Sequence, residues 1–185
     1  MSMSSSSRTV GLIAATNEEW VLGRTDGSIP WKHVGDQRLF AETTKGGIVI
    51  MGRVTWNGIP EKYRPLKDRT NIIISKTMTS TRRDAWIVYP SIPDALHDLN
   101  LMGNTKDIWF IGGRGIYEEA LQHCTTVHLT MVPDEVPAAD DIIYMPDNAR
   151  TVVGWRAMTR EHPYNEKLLI CVYDRLDNEK PLRDV

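Results

Sequence analysis

Cysteine is scarce in this chain, with two among 185 residues. Cys124 and Cys171 have neither CxxC spacing nor a neighbouring Cys/His set, so no zinc site and no other metal is expected. A reduced, intracellular setting is the simpler reading, although two cysteines could in principle pair. No apolar run approaches the roughly 20 residues needed to cross a bilayer, so no membrane partner is expected. A basic excess is also lacking: 22 Lys and Arg against 24 Asp and Glu leave a formal net charge of -2. That disfavours general nucleic-acid binding, while local basic spots can still hold phosphates. The opening "MSMSSSSR" has no apolar core behind its charge and does not read as a secretory signal.

What is present suits one folded domain. The chain is long enough to bury a sizeable core, and 41% hydrophobic with 25% charged residues is ordinary for a globular protein. Residues 1–8 read as a disordered tail, 9–176 as the domain and 177–185 as a loose end. Short β-branched runs recur at "TVGLIAA", "GIVIM", "TNIIIS", "AWIVY", "DIWFIGG", "TVHLTMV", "VVGWRAM" and "KLLICVYD". Several are apolar throughout, which predicts strands buried on both faces of a mostly parallel sheet of about eight strands; the last two alternate, as an antiparallel C-terminal edge would. Helices are expected from Asp36 to Thr44, from near Val54, from Pro93 to Leu101 and from Gly115 to Gln122. The fold class is α/β, an open sheet flanked by about four helices, whose ligands collect at the carboxyl ends of its strands.

Four segments could carry chemistry. "DIWFIGGRGIYEEAL" runs a strand into Gly112-Gly113-Arg114-Gly115 and then a helix, a junction where backbone N–H groups can approach an anion. Such a junction is more often plain turn chemistry, and it departs from GxGxxG. "IVIMGRVTW" repeats the strand, glycine, helix order with Arg53 and Thr55 placed for a phosphate, or simply as a solvated cation and a cap. Ser75 and Lys76 close a third strand, where they could read a phosphate or serve only as a polar exit. Asp36 stands near the start of its helix, where the macrodipole favours an acid. It also shares a face with Leu39 and Phe40, and a buried carboxylate is costly without a partner. Cap and working acid both remain open on the residues alone.

In this order the pieces resemble dihydrofolate reductase. The matching segments are "LIAA", "IPW" with Asp36 five residues after Trp31, "MGRVTW", "IPEKYRPLKDRTNIIISK", "FIGGRGIY" and "HLTMV", covering Thr9 to Asp174. The family transfers a hydride from C4 of NADPH to C6 of dihydrofolate, with a proton going to N5. That product, tetrahydrofolate, supplies one-carbon metabolism and thymidylate synthesis. The resemblance implies a catalytic group of Asp36, Trp31 and Thr130, with Asp36 holding the pterin's 2-amino group and N3. It implies that Ile13, Phe40, Ile59, Arg64, Leu66, Arg69, Ile111 and Thr130 bind substrate, Arg69 pairing with the glutamate α-carboxylate. For NADPH it implies Ala15 at the carboxamide, Leu22 and Gly23 in the mobile lid "LGRTDGSIPW", and Arg53, Ser75 and Lys76 about the 2'-phosphate. Val54 and Thr55, with Ile111, Gly112, Gly113, Arg114, Gly115, Ile116 and Tyr117, complete that site, and the Gly112–Gly113 peptide is cis in the family. Antifolate inhibitors are implied as ligands, and a cytoplasmic monomer as the working form.

Gln37 departs from the family, standing where many relatives place an apolar side chain. Gly58 replaces a common serine, and "PDEVPAADDIIYMP" is more irregular than usual. Two rivals share the fold. One is the NADPH-dependent reductase of riboflavin synthesis, which lacks the Pro30-Trp31 and Asp36 arrangement. The other is a non-catalytic nucleotide-binding scaffold, which has no reason to keep Asp36, Arg69 and Thr130.

Overall fold

The computed structural model describes residues 8–79, 85–150, 152 and 154–176. In chain order these form β1 (Val10–Thr16), β2 (Val21–Arg24), α1 (Val34–Thr44), β3 (Ile48–Gly52), α2 (Arg53–Gly58), β4 (Thr70–Ile74), β5 (Trp86–Tyr89) and α3 (Ile92–Leu101). There follow β6 (Ile108–Phe110), α4 (Arg114–Ala120), β7 (Thr126–Met131), β8 (Ile142–Tyr144), α5 (Asp147–Arg150), β9 (Arg156–Glu161) and β10 (Leu169–Asp174). The expected loose end, 177–185, lies outside the described residues, as do 1–7 of the expected N-terminal tail. Arg8 is described, and its guanidinium donates to Asn104 O and Asn100 Oδ1.

Eight strands make one sheet in the order β5-β4-β3-β6-β1-β7-β10-β9. All neighbours run parallel except β10, which is antiparallel to both β7 and β9, giving the antiparallel C-terminal edge expected from the sequence. The apolar runs are buried on both faces, as a parallel sheet requires. In β3, Ile48 and Ile50 join one core cluster with Leu12, Ile72 and Phe110, while Val49 and Met51 join another with Trp56, Ile73 and Trp109. On the first face, α3 is started by Ser91, whose Oγ accepts the Asp94 N–H at 3.2 Å, and buries Ile92, Ala95 and Leu99.

The structure adds a two-stranded antiparallel sheet, β2 with β8, and the short α5. Four- and three-residue strands are too short to show a period, so neither was expected. The strand expected over 152–158 starts later, at Arg156, and runs to Glu161. All six of its residues are exposed, while the apolar Val152 and Trp155 before it pack on the core from a turn. Among the described residues no helix is long and apolar enough to cross a membrane.

Candidate active site

The first turn of α1 places Asp36 inside the helix and not at its cap. The helix begins at Val34 and its cap position is His33, which makes no side-chain capping bond, so Asp36 is the third helical residue and not the cap. Only Thr44 of α1 is buried. Asp36, Leu39, Phe40 and Thr43 instead line a cavity of about 240 Å³ facing Ile13 and Thr130. An apolar helix face that meets a cavity rather than packed core is a surface left for a ligand. The Asp36 side chain is 22% exposed, and Thr130 on β7 is 6% exposed. Ile59, Leu66 and Ile111 line the same cavity.

A second cavity of about 630 Å³ lies at the carboxyl ends of β1, β3 and β6. Leu22, Gly23, Arg53, Val54 and Gly112 through Ile116 are among its walls, and the two cavities share Ala15, Ile29, Thr55, Ile111 and Tyr117. The two glycine turns are tied together by the Gly52 N–H, which donates to Gly112 O at 2.8 Å. Gly112 has φ +109, a left-handed conformation open to glycine, and the Gly112–Gly113 peptide is cis, as the resemblance implies. Arg24, Arg53 and Arg114 line this cleft against one acid, Glu119. Arg24 is paired with Asp141 and Arg114 donates to Tyr144 O at 2.9 Å, whereas Arg53 is exposed and makes no ion pair among the described residues. Glycines that let backbone approach, together with a cation without an acid, fit the phosphates of a dinucleotide.

Tyr117 stands between the two spaces and donates its hydroxyl to Ile13 O at 2.9 Å. Burial, and then the charge of Asp36, push its phenol well above the ordinary range. Arg69 donates to Lys67 O at 2.8 Å and to Thr44 Oγ1 at 3.1 Å, and its guanidinium lies 5.7 Å from the ring centre of Phe40, which lines the smaller cavity. Burial lowers its pKa while Asp68 pulls the other way, and no carboxylate pairs with it among the described residues. It remains charged at any working pH and lacks an anion.

Five expected residues line neither cavity: Arg69, Arg64, Trp31, Ser75 and Lys76. Arg64 is held on Trp56, donating to its carbonyl at 3.3 Å with the guanidinium 5.4 Å from the ring. Trp31 is half-buried in the segment entering α1. The Ser75 hydroxyl is spent locally, accepting the Met78 N–H at 3.0 Å, and Lys76 beside it is exposed. Conversely, His128, Arg160 and Ile170 line the smaller cavity without having been singled out. Thr130, Ile170 and Arg160 are register partners across three strands, and that pairing is not written in any one segment.

Fold and cleft together define an α/β class in which a glycine- and arginine-lined cleft at the carboxyl ends of the strands opens into an apolar cavity with a carboxylate on its wall. The dihydrofolate reductase family model matches residues 9–173. The chain is 31% identical over 151 residues to the dihydrofolate reductase of Drosophila melanogaster, covering 76% of this chain and 82% of that protein. It is 35% identical over 154 residues to that of Mycobacterium tuberculosis, covering 82% and 87%, and 33% identical over 135 residues to that of Heliothis virescens, covering 66% and 72%. The chain belongs to the dihydrofolate reductase family, whose enzymes use NADPH.

Proposed function

We infer that this chain reduces 7,8-dihydrofolate to tetrahydrofolate with NADPH, the pterin lying in the smaller cavity and the cofactor in the larger. The observation that carries the reading is a half-buried carboxylate on the wall of an apolar cavity that opens into a glycine- and arginine-lined cleft. NADPH, when bound, supplies the hydride. The residues that would hold it are Arg53, Val54, Thr55 and Gly112 to Tyr117, with Ala15 at the junction and Leu22 and Gly23 above.

Asp36 accepts hydrogen bonds from the pterin's 2-amino group and N3, and Thr130 shares that polar end. The carboxylate stabilises positive charge as N5 gains its proton, which water delivers. Ile13, Phe40, Ile59, Leu66 and Ile111 supply an apolar slot that fixes the ring plane and excludes water, so much of the rate comes from orientation. Arg69 takes the α-carboxylate of the glutamate tail, the anion it lacks. Trp31 anchors the far end of the lid, and Arg64 braces α2 behind the slot. On this reading the chain works as a cytoplasmic monomer feeding one-carbon metabolism, and two unpaired cysteines fit a reducing compartment.

The test is consumption of NADPH by purified protein, followed by nicotinamide absorbance, with dihydrofolate and separately with the ribosylaminopyrimidine of the rival reductase. Turnover with dihydrofolate alone is expected. Folded protein that turns over the ribosylaminopyrimidine, or neither compound, overturns the assignment.

A further inference from the structure

The turn between β9 and β10 places a buried histidine beside the carboxylate at the head of the substrate cavity. His162 has a fully buried side chain, and its Nε2 lies 4.0 Å from Asp36 Oδ1 with no hydrogen-bond partner among the described residues. A buried polar atom left without a partner is rare and points to something that completes it. Its other nitrogen is occupied: the Tyr164 N–H donates to Nδ1 at 3.2 Å. A nitrogen that accepts cannot carry the proton, so in the neutral ring the hydrogen sits on Nε2, the atom near Asp36.

The turn is seated on α1 by several independent contacts. A Cβ at Gly35 would lie 2.9 Å from Tyr164 O, so the glycine permits the close approach. Tyr164 donates its hydroxyl to Glu42, and the Arg38 guanidinium lies 4.1 Å from the centre of the Tyr164 ring. The His162 N–H donates to Leu168 O at 3.2 Å, fixing the backbone that carries the ring. Gly35, Arg38 and Glu42 thus dock the turn on the same helix that presents Asp36.

We propose that His162 is a positioning residue for Asp36, donating from Nε2–H to Oδ1 as a small rotation of the carboxylate closes the gap, so that Oδ2 is left to face the pterin. The inference rests on Asp36 being the pterin acid. Burial lowers the pKa of His162, Asp36 opposes that and His33 reinforces it, so the ring contributes a donor without adding charge near neutral pH. Other ionisable groups face the pair. His33, held by Asp134, lies before α1, and Tyr117 approaches from α4. His128 and Arg160 line the cavity from β7 and β9. Arg38 and Glu42 are engaged with Tyr164 and each other.

A donor on the carboxylate stabilises its ionised form, so without it the Asp36–pterin pair takes up its proton at higher pH. Single-turnover hydride transfer is measured across pH for the native protein, His162→Phe, His162→Gln and Asp36→Asn. His162→Phe is expected to lower the maximal, low-pH rate of transfer about tenfold through lost alignment of the carboxylate, and to move the midpoint of the profile upward by about one unit. His162→Gln, whose amide can still donate, recovers most of both. Native midpoints in both variants, or equal shifts in both, overturn the proposal. Nitrogen-15 NMR of the native protein gives a reading that needs no Phe variant, the His162 signal being assigned by its loss in His162→Gln. The Nε2–H tautomer is expected, and an Nδ1–H tautomer overturns the idea. If Asp36→Asn keeps native transfer, the pterin-site reading itself falls; if it loses transfer while the histidine variants behave as native, only this inference falls.

Discussion

Helix electrostatics favour an acid at the third position of α1 whether or not a ligand exists, so residue type alone could not decide the role of Asp36. Its neighbours favour a ligand, because Leu39, Phe40 and Thr43 on the same face meet a cavity instead of core. That face was legible in the spacing; the empty space opposite it was not, since it depends on how far α1 stands from the sheet. Gln37 was legible only as a departure, and it too lines the cavity. The residues expected at the 2'-phosphate divide more sharply. Arg53 lines the cleft and Lys76 is exposed outside it, so Arg53→Ala is expected to weaken NADPH about tenfold or more, with little effect on NADH, and Lys76→Ala to cost less. Fluorescence titration with both cofactors checks this. Equal losses for NADPH and NADH on replacing Arg53 would remove it from the 2'-phosphate.

Elements with a long hydrophobic signal matched their expected places, and short or wholly exposed ones did not. β3, β4 and α3 announce themselves by runs or periods, whereas β2 and β8 are held by each other from far apart in the sequence and the exposed β9 only by its hairpin with β10. The segment after β2 shows how such pairing shapes the cleft. Gly27 has φ +87, and a Cβ there would lie 2.7 Å from Val54 O; a Cβ on Gly58 would lie 2.6 Å from Gly27 O. The segment expected as a lid therefore rests backbone against backbone on α2, and Gly27 and Gly58 are the residues that permit the contact. Gly58→Ala must push the lid off α2. The expected result is a several-fold weaker hold on NADPH, with a stability loss of about 1–3 kcal/mol from overpacking. Titration alongside a thermal melt checks both, and unchanged affinity would show that the lid contact has no part in holding cofactor.

At the scale of the whole molecule, the sheet brings together the ends of β1, β3 and β6, and the cleft follows from that order. The class of fold was legible because continuous apolar runs alternating with helical segments leave few other architectures. The placement of His162 was not, because it sits in a turn whose seat on α1 is fixed only after β9 and β10 pair. The same burial makes stability depend on pH. Burial lowers the pKa of His128, with Arg160 adding to the effect and Asp174 opposing it, and burial lowers that of His162 as well. Both rings are kept neutral by the fold, so the unfolded chain binds more protons once the pH falls below about 6.5. Stability is expected to be full above that pH and to decline through the lower folded values as the solution is acidified. Denaturant titrations from pH 7.5 to 5 check this, with His128→Gln flattening the decline; an equally steep decline in that variant would contradict it.

The central claim is that Asp36 serves a ligand and not its helix, and a paired measurement on Asp36→Asn tests it most directly. Thermal melting and single-turnover hydride transfer from NADPH to dihydrofolate at neutral pH are recorded on the same preparation. A melting temperature close to native is expected, because His33 and not Asp36 occupies the cap position, together with a loss of transfer of about a hundredfold or more. A variant that melts early yet transfers hydride at the native rate would contradict it.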